Sequence, residues 1–192
     1  MINLSNVFIV SGAAGSGKDS VIDGLQTHLP IERVVTTTSR FMRPFESEGH
    51  PYYFISREEF EKGIARNEFI EHSINENGEL YGVTRTELER VGRLQAIGIW
   101  RVDWKGVISI KKLYPNILSI YISAPLAVLE KRLRARDIGK EEFYFEERMA
   151  YTREWLNHLD IYDYIVENEE GKLAQTVEAV ATIIRDRFRT KS

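Results

Sequence analysis

An α/β fold, with a mostly parallel sheet covered by helices, is what this sequence predicts, and two patterns predict it. Strand-like apolar runs at Val7 to Val10, Ile97 to Val102, Ile117 to Ser123 and Tyr162 to Val166 are separated by stretches of helical spacing. That alternation favours parallel pairing, because each crossover between parallel strands needs a helix-length connection. The first run also leads straight through Gly12-Ala13-Ala14-Gly15-Ser16-Gly17-Lys18 into Val21, Ile22 and Leu25. A strand, a glycine-rich loop and a helix in that order read as a phosphate-binding unit.

The helix after the loop places Val21, Ile22, Leu25 and Leu29 on one stripe and is expected to stop at Pro30. A strand is expected near Arg33 to Thr37. From Thr36 to about Arg90 the alternation is interrupted. Here Tyr52-Tyr53-Phe54-Ile55 reads as a short strand, and Ser56 with Glu59 reads as a capping box for a helix carrying Phe60 and Ile64. This inserted unit is a place to hold a second substrate. Pro125 fits the first turn of a helix through Leu126, Leu129 and Leu133. The last helix, about Leu173 to Phe188, carries Val177, Val180, Ala181 and Ile184 on one core-facing stripe.

A length of 192 residues suits one domain with appended lids. The chain has no cysteine, which fits a reducing cytoplasm, and neither a leader pattern nor a membrane-length apolar window is present. A net charge of -3, from 26 basic and 29 acidic residues, argues against bulk nucleic-acid binding. The expectation is a cytoplasmic protein acting on small molecules, with no nucleic-acid or membrane partner and an oligomeric state that sequence does not give.

In the loop, Gly12, Gly15 and Gly17 let the backbone curl so that the N–H groups of Ala13, Ala14, Ser16 and their neighbours point at phosphate oxygens. Lys18 reaches the outer phosphates. The hydroxyl residue that usually follows the lysine and meets Mg²⁺ is Asp19 here, with Ser20 next to it, so these two are the metal-side candidates. The segment from Thr36 to Phe54 then places Arg40 and Arg43 three apart, followed by Tyr52. Guanidinium forks match phosphate oxygens pairwise.

Together with later motifs, this segment resembles the guanylate kinase family. The resemblance rests on Thr38, Arg40, Arg43, Glu46, Gly49, Tyr52 and Phe54, then on Asn67-Glu68-Phe69-Ile70-Glu71, Tyr81-Gly82, Asp103-Trp104-Lys105-Gly106, Lys131 to Arg136, Glu147-Arg148, and Val166 with Asn168. It implies a P-loop NTPase fold: a three-layer parallel sheet with an inserted subdomain for a nucleoside monophosphate and a helical lid. The implied division is a core of 1–35, 91–133 and 151–192, an insert of 36–90 and a lid of 134–150. It implies ATP as co-substrate with Mg²⁺, and transfer of phosphate to GMP. Arg40, Arg43, Tyr52 and Tyr81 would hold the GMP phosphate, with Thr36 and Val83 in the substrate-binding set, while Glu71 and Asp103 would read the guanine. Carboxylates suit guanine because N1–H and the N2 amino group are adjacent donors. Lys18, Arg40, Arg43, Arg136 and Arg148 would stabilise the transferring group. Arg132 and Arg134 read as plain surface.

Three positions depart from the family. Val83 stands where a Ser or Thr is usual, Arg101 where an additional acid is common, and Asp19 where the metal-binding hydroxyl lies. An acid has appeared at one metal-side position and vanished from another. Asp19 is therefore expected either to bind Mg²⁺ through water or to pair with Arg101. The Gly-Lys-Asp-Ser form also resembles the ribose 1,5-bisphosphate kinases, which lack much of the Arg40 to Phe54 pattern. A guanylate-kinase-like protein-binding module without catalysis is the alternative from another functional class.

Overall fold

The structure is a computed structural model that describes residues 2–74 and 78–189, the side chain of residue 189 excepted. Nine strands and seven α-helices are present among the described residues. The first strand, β1 (Val7–Ser11), runs into the glycine-rich loop and then α1 (Lys18–Leu25). After β2 (Ile31–Arg33) the chain leaves the core for β3 (Thr36–Thr38), β4 (Tyr52–Phe54), α2 (Arg57–Ala65), β5 (Phe69–Ile74) and β6 (Leu80–Thr84). It returns through α3 (Arg85–Gly92) to β7 (Ile97–Trp100), α4 (Trp104–Leu113), β8 (Leu118–Ser123) and α5 (Leu126–Arg136). It closes with α6 (Glu142–Leu156), β9 (Tyr164–Glu167) and α7 (Leu173–Arg189). No helix among the described residues is long and apolar enough to cross a membrane.

The core sheet is parallel throughout, in the order β2-β7-β1-β8-β9. Successive residues of β1 face opposite layers. Val7 and Ile9 join an apolar cluster with Leu88, Val91, Trp104 and Val107, while Phe8 and Val10 join one with Val21, Ile22, Leu25, Val177 and Ile184. Helices α1 and α7 therefore cover one face, and α3 and α4 the other, which gives three layers. Strand β1 lies between β7 and β8, so the strand order reverses beside it. A crevice opens there at the carboxyl end of the strands, and the glycine-rich loop lies at that edge.

The expected strand near 33–37 is two strands in two sheets, Ile31–Arg33 pairing with β7 and Thr36–Thr38 pairing with β4 and β6. The first helix also ends at Leu25, before Pro30. The next backbone N–H groups turn back by i→i−3 bonds, Gln26 to Asp23 (3.2 Å) and Thr27 to Gly24 (3.2 Å). Pro125 is the N-cap of α5, one residue outside the first turn. The capping box at Ser56 and Glu59 is present, and Phe60 of α2 stacks on Phe69 at 4.1 Å, closing the small sheet β4-β3-β6-β5.

Where the chain passes from β2 to β3, one buried acid ties the two sheets. Glu87 accepts from the Val35 N–H at 2.8 Å and from Arg90 at both carboxylate oxygens, each 2.9 Å. Arg90 in turn reaches Glu32 (2.8 Å) and the Arg33 carbonyl (3.2 Å). Removing Glu87 leaves the Val35 N–H without its acceptor, while Arg90 keeps Glu32 and the Arg33 carbonyl. Glu87→Ala is therefore expected to lower stability by about 2 kcal/mol, read as a shift in the urea midpoint. Glu87→Gln, which keeps an acceptor for Val35, is expected to cost less.

Candidate active site

The loop from Gly12 to Lys18 is held from behind. Asn168 donates from its amide to the Ser16 carbonyl at 2.7 Å, and Arg132 donates to the carbonyls of Gly15 (3.3 Å) and Asn168 (3.1 Å). Arg132 is thus half-buried and supports the loop, a correction to its reading as plain surface. Its partners are carbonyls on two other elements, so no local pattern announces it. Arg134 is engaged with Glu130 and Glu142 and packs over Phe145 at 4.6 Å.

Lys18 stands at the start of α1, where burial pushes its ammonium down to about 8. Asp19 opposes that shift, while the charges of Arg101 and Arg136 add to it. An arriving phosphate would favour the charged form again. Burial raises the Asp19 carboxyl, but Arg101, Lys18 and Arg33 outweigh it and leave the group below its usual range. The Arg101 Nη1 donates to Asp19 Oδ1 at 2.8 Å, and Lys18 Nζ lies 3.9 Å from Asp19 Oδ2. Ser20 is exposed one residue further along the helix.

The second cluster belongs to the small sheet. Parallel pairing of β3 and β4 sets Thr36 opposite Tyr52. Tyr52 meets Tyr81 edge-on at 5.7 Å, and Arg40 lies over the Tyr52 ring at 5.5 Å. Arg40 is fixed by a two-point fork to Glu46, at 2.8 and 3.0 Å, and Glu46 also accepts from the Arg43 N–H at 2.8 Å. That turn contains Phe45 at φ 72° with its ring fully exposed. A left-handed bulky residue costs about 1 kcal/mol, and the three Glu46 bonds help to offset it. The Arg43 side chain is exposed.

A third group lies where β5 and α4 meet. Asp103 caps α4 through the Gly106 N–H at 2.8 Å, and its other oxygen accepts from Tyr151 at 3.0 Å. Burial pushes the Glu71 carboxyl up to about 7, and the negative charge of Asp103 adds to the rise. Val83, paired with Glu71 across the small sheet, is fully buried in the apolar cluster with Val34 and Leu88. Arg136 ends α5 in a fork with Asp137, both bonds 2.8 Å, and Arg148 lies over the Tyr144 ring at 5.4 Å on α6. The structure thus brings Lys18, Asp19, Tyr52, Tyr81 and Arg40 into one chain of contacts through Arg101, with Glu71 and Asp103 coupled beside α4. Arg43 joins that chain only through its backbone N–H to Glu46, and Ser20 and Arg148 are not part of it. Sequence reading missed Tyr151 as the partner of Asp103, because an aromatic on a helix reads as packing.

The sequence profile of the family described as Guanylate kinase matches residues 4–187. The chain is 34% identical over 183 residues to the guanylate kinase of Escherichia coli O157:H7, covering 93% of this chain and 86% of that one. It is 34% identical over 185 residues to the guanylate kinase of Rickettsia bellii (strain RML369-C), covering 95% and 94%. The crystal structure of guanylate kinase from Anaplasma phagocytophilum superposes with a TM-score of 0.72 at 28% identity, covering 97% of this chain and 88% of that one.

The raised Glu71 carboxyl has a stability consequence with a definite sign. Between the unfolded value of 4.5 and about 7, the folded chain holds a proton that the unfolded chain releases. Stability is therefore fully present below pH 4.5 and declines as pH rises through 7. Glu71→Gln removes the dependence. The variant is expected to gain on the order of 2 kcal/mol over the parent above pH 7 and to match it near pH 4.5. Denaturant midpoints across that range check it.

Proposed function

The chain belongs to the guanylate kinase family, and from that membership we propose that it transfers the γ-phosphoryl group of ATP to GMP, giving ADP and GDP. The observation that carries this reading is Tyr52, which sits in the Arg40–Tyr81 cluster of the insert and is also joined through Arg101 to the residue after Lys18. Two anion sites that share one side-chain bridge suit a reaction between two phosphate groups. We place it in the cytoplasm, in keeping with a cysteine-free chain.

In the proposed mechanism, the loop amides and Lys18 hold the ATP phosphates. Arg40, Arg43, Tyr52, Tyr81 and Thr36 hold the GMP phosphate. An oxygen of that phosphate attacks the γ-phosphorus in line, forming a new O–P bond as the bond to the β–γ bridging oxygen breaks and ADP leaves. The attacking oxygen is already ionised, so positioning and charge carry the catalysis. Glu71 and Asp103 accept from guanine N1–H and N2, which adenine cannot match. Closure of 134–150 brings Arg136 and Arg148 to the transferring group and excludes water. These bounds begin inside α5 and end inside α6, so both helices would carry the motion.

ATP is delivered with Mg²⁺ as its counter-ion, which spreads charge on the phosphates. Of the side chains expected to meet the ion, Asp19 is engaged by Arg101 and lies 3.9 Å from Lys18, and Ser20 is exposed. Mg²⁺ on ATP takes most of its ligands from phosphates and waters, so Asp19 or Ser20 would meet it through water.

Lys18→Ala is expected to reduce turnover about 1,000-fold with the fold intact by circular dichroism, since its charge is needed where phosphoryl charge redistributes. Acceptor specificity separates two other residues. Arg43→Ala should raise the KM of every nucleoside monophosphate alike, whereas Glu71→Gln should weaken GMP selectively, in a panel of GMP, dGMP, AMP, UMP and ribose 1,5-bisphosphate with labelled ATP. Guanine needs the ionised carboxylate and Glu71 titrates at about 7. GMP affinity by calorimetry should therefore fall as pH drops below 7, and more steeply in the parent than in Glu71→Gln, whose remaining slope comes from the GMP phosphate titrating at about 6.

A further inference from the structure

Arg101 occupies the seam between the two phosphate sites. It follows the last residue of β7, beside β1, at the edge where the glycine-rich loop begins. Its Nη1 is held by Asp19 at 2.8 Å and its Nη2 by the Tyr52 hydroxyl at 2.7 Å, with the guanidinium carbon 5.7 Å from the Tyr52 ring centre. A guanidinium carries five N–H donors in a fixed plane, and these two bonds use two of them. Three remain for an incoming oxyanion, and the structure gives them no other partner among the described residues. The side chain is 30% exposed, so it is anchored yet accessible from the crevice.

The adjacent acid, Asp19, anchors this cation. Asp19 is fixed on the first turn of α1 and so ties the Arg101 head to the loop that holds Lys18. Tyr52 ties it to the insert that holds the acceptor. Resting on the reading of the site as a nucleoside monophosphate kinase, we propose that Arg101 is a further catalytic residue, a fixed cation that touches the acceptor phosphate and stabilises charge between the two phosphates. Asp19 is its positioning residue. When the acceptor phosphate takes the Tyr52 hydroxyl, the Arg101 Nη2 turns to a phosphate oxygen while Nη1 stays on Asp19. A planar fork suits that exchange, since one edge remains anchored as the other rebinds.

The test uses the full chain and the variants Arg101→Gln, Arg101→Lys, Asp19→Asn and Arg101→Gln with Asp19→Asn. GMP binding is measured by calorimetry without ATP or Mg²⁺, and kcat and KM are measured with ATP and Mg²⁺. Arg101→Gln is expected to weaken GMP about tenfold in the metal-free measurement and to lower kcat about 100-fold. Arg101→Lys should recover part of both, because the charge returns without the fork. Asp19→Asn should lower kcat about tenfold with GMP affinity nearly unchanged, and the double variant should be no worse than Arg101→Gln alone, as expected for residues acting through one contact. Parent-like GMP affinity and kcat in a folded Arg101→Gln would overturn the proposal and leave the kinase reading standing. A parent that phosphorylates no nucleoside monophosphate would overturn both.

Discussion

All three glycines of the glycine-rich loop leave no room for a side chain, and the surrounding elements are packed against that absence. Gly15 and Gly17 adopt φ of 83° and 81°. A Cβ on Gly15 would meet the Leu129 carbonyl of α5 at 2.6 Å, and one on Gly17 would meet the Asn168 amide at 2.3 Å. The same closeness lets Asn168 and Arg132 hold the loop carbonyls. The loop's inward amides thus depend on contacts from β9's end and α5, elements more than a hundred residues away in sequence. A phosphate site built this way is preorganised, because its donors are aimed before any ligand arrives.

Charge is partitioned across the crevice by neighbouring residues of one short segment. Arg101 turns to the phosphate seam, Val102 uses its carbonyl to accept from Ser11 at 2.7 Å, and Asp103 turns toward Glu71 and caps α4. These three residues lie between the end of β7 and the start of α4, outside strand pairing, so one short connection serves both the cationic and the acidic side of the site. Burial lowers the proton affinity of Lys18, with Arg101 and Arg136 adding to the shift, and raises that of Glu71, with Asp103 adding to it. In the proposed mechanism, an anionic phosphate on one side and the donor edge of a base on the other would relieve both strains. Substrate binding and site electrostatics are therefore one question in this fold.

Much of the architecture was legible in the sequence where pattern and burial coincide. Val7 to Val10 are buried on both faces and read as a core strand, and α7 carried its stripe of Val177, Val180, Ala181 and Ile184 into the core. Ser56 and Glu59 announced a helix start because a capping box is local chemistry. The insert was less legible. β5 and β6 carry Glu71, His72, Ser73 and Tyr81, and a strand that lines a cleft is half-buried without clean alternation. The split of the expected strand at 33–37 was invisible for a related reason. No Gly or Pro marks a break between Ile31 and Thr38, and only the Glu87–Arg90 network and the separate pairing partners set the two halves in different sheets.

By itself the sequence determined the glycine-rich loop between a strand and a helix, and the family, because these depend on spacing within short segments and on order along the chain. It also exposed the exchanged charges at positions 19 and 101. Only the tertiary structure decided that Asp19 and Arg101, 82 residues apart, meet at 2.8 Å, and that the other edge of the same guanidinium rests on Tyr52. It likewise decided that Arg132 belongs to the loop and that Glu71 and Asp103 share one field. The physical reason is common to all of these. Ion pairs and pKa shifts depend on distance and desolvation between groups that the chain brings together only when β1, β7 and the small sheet have packed.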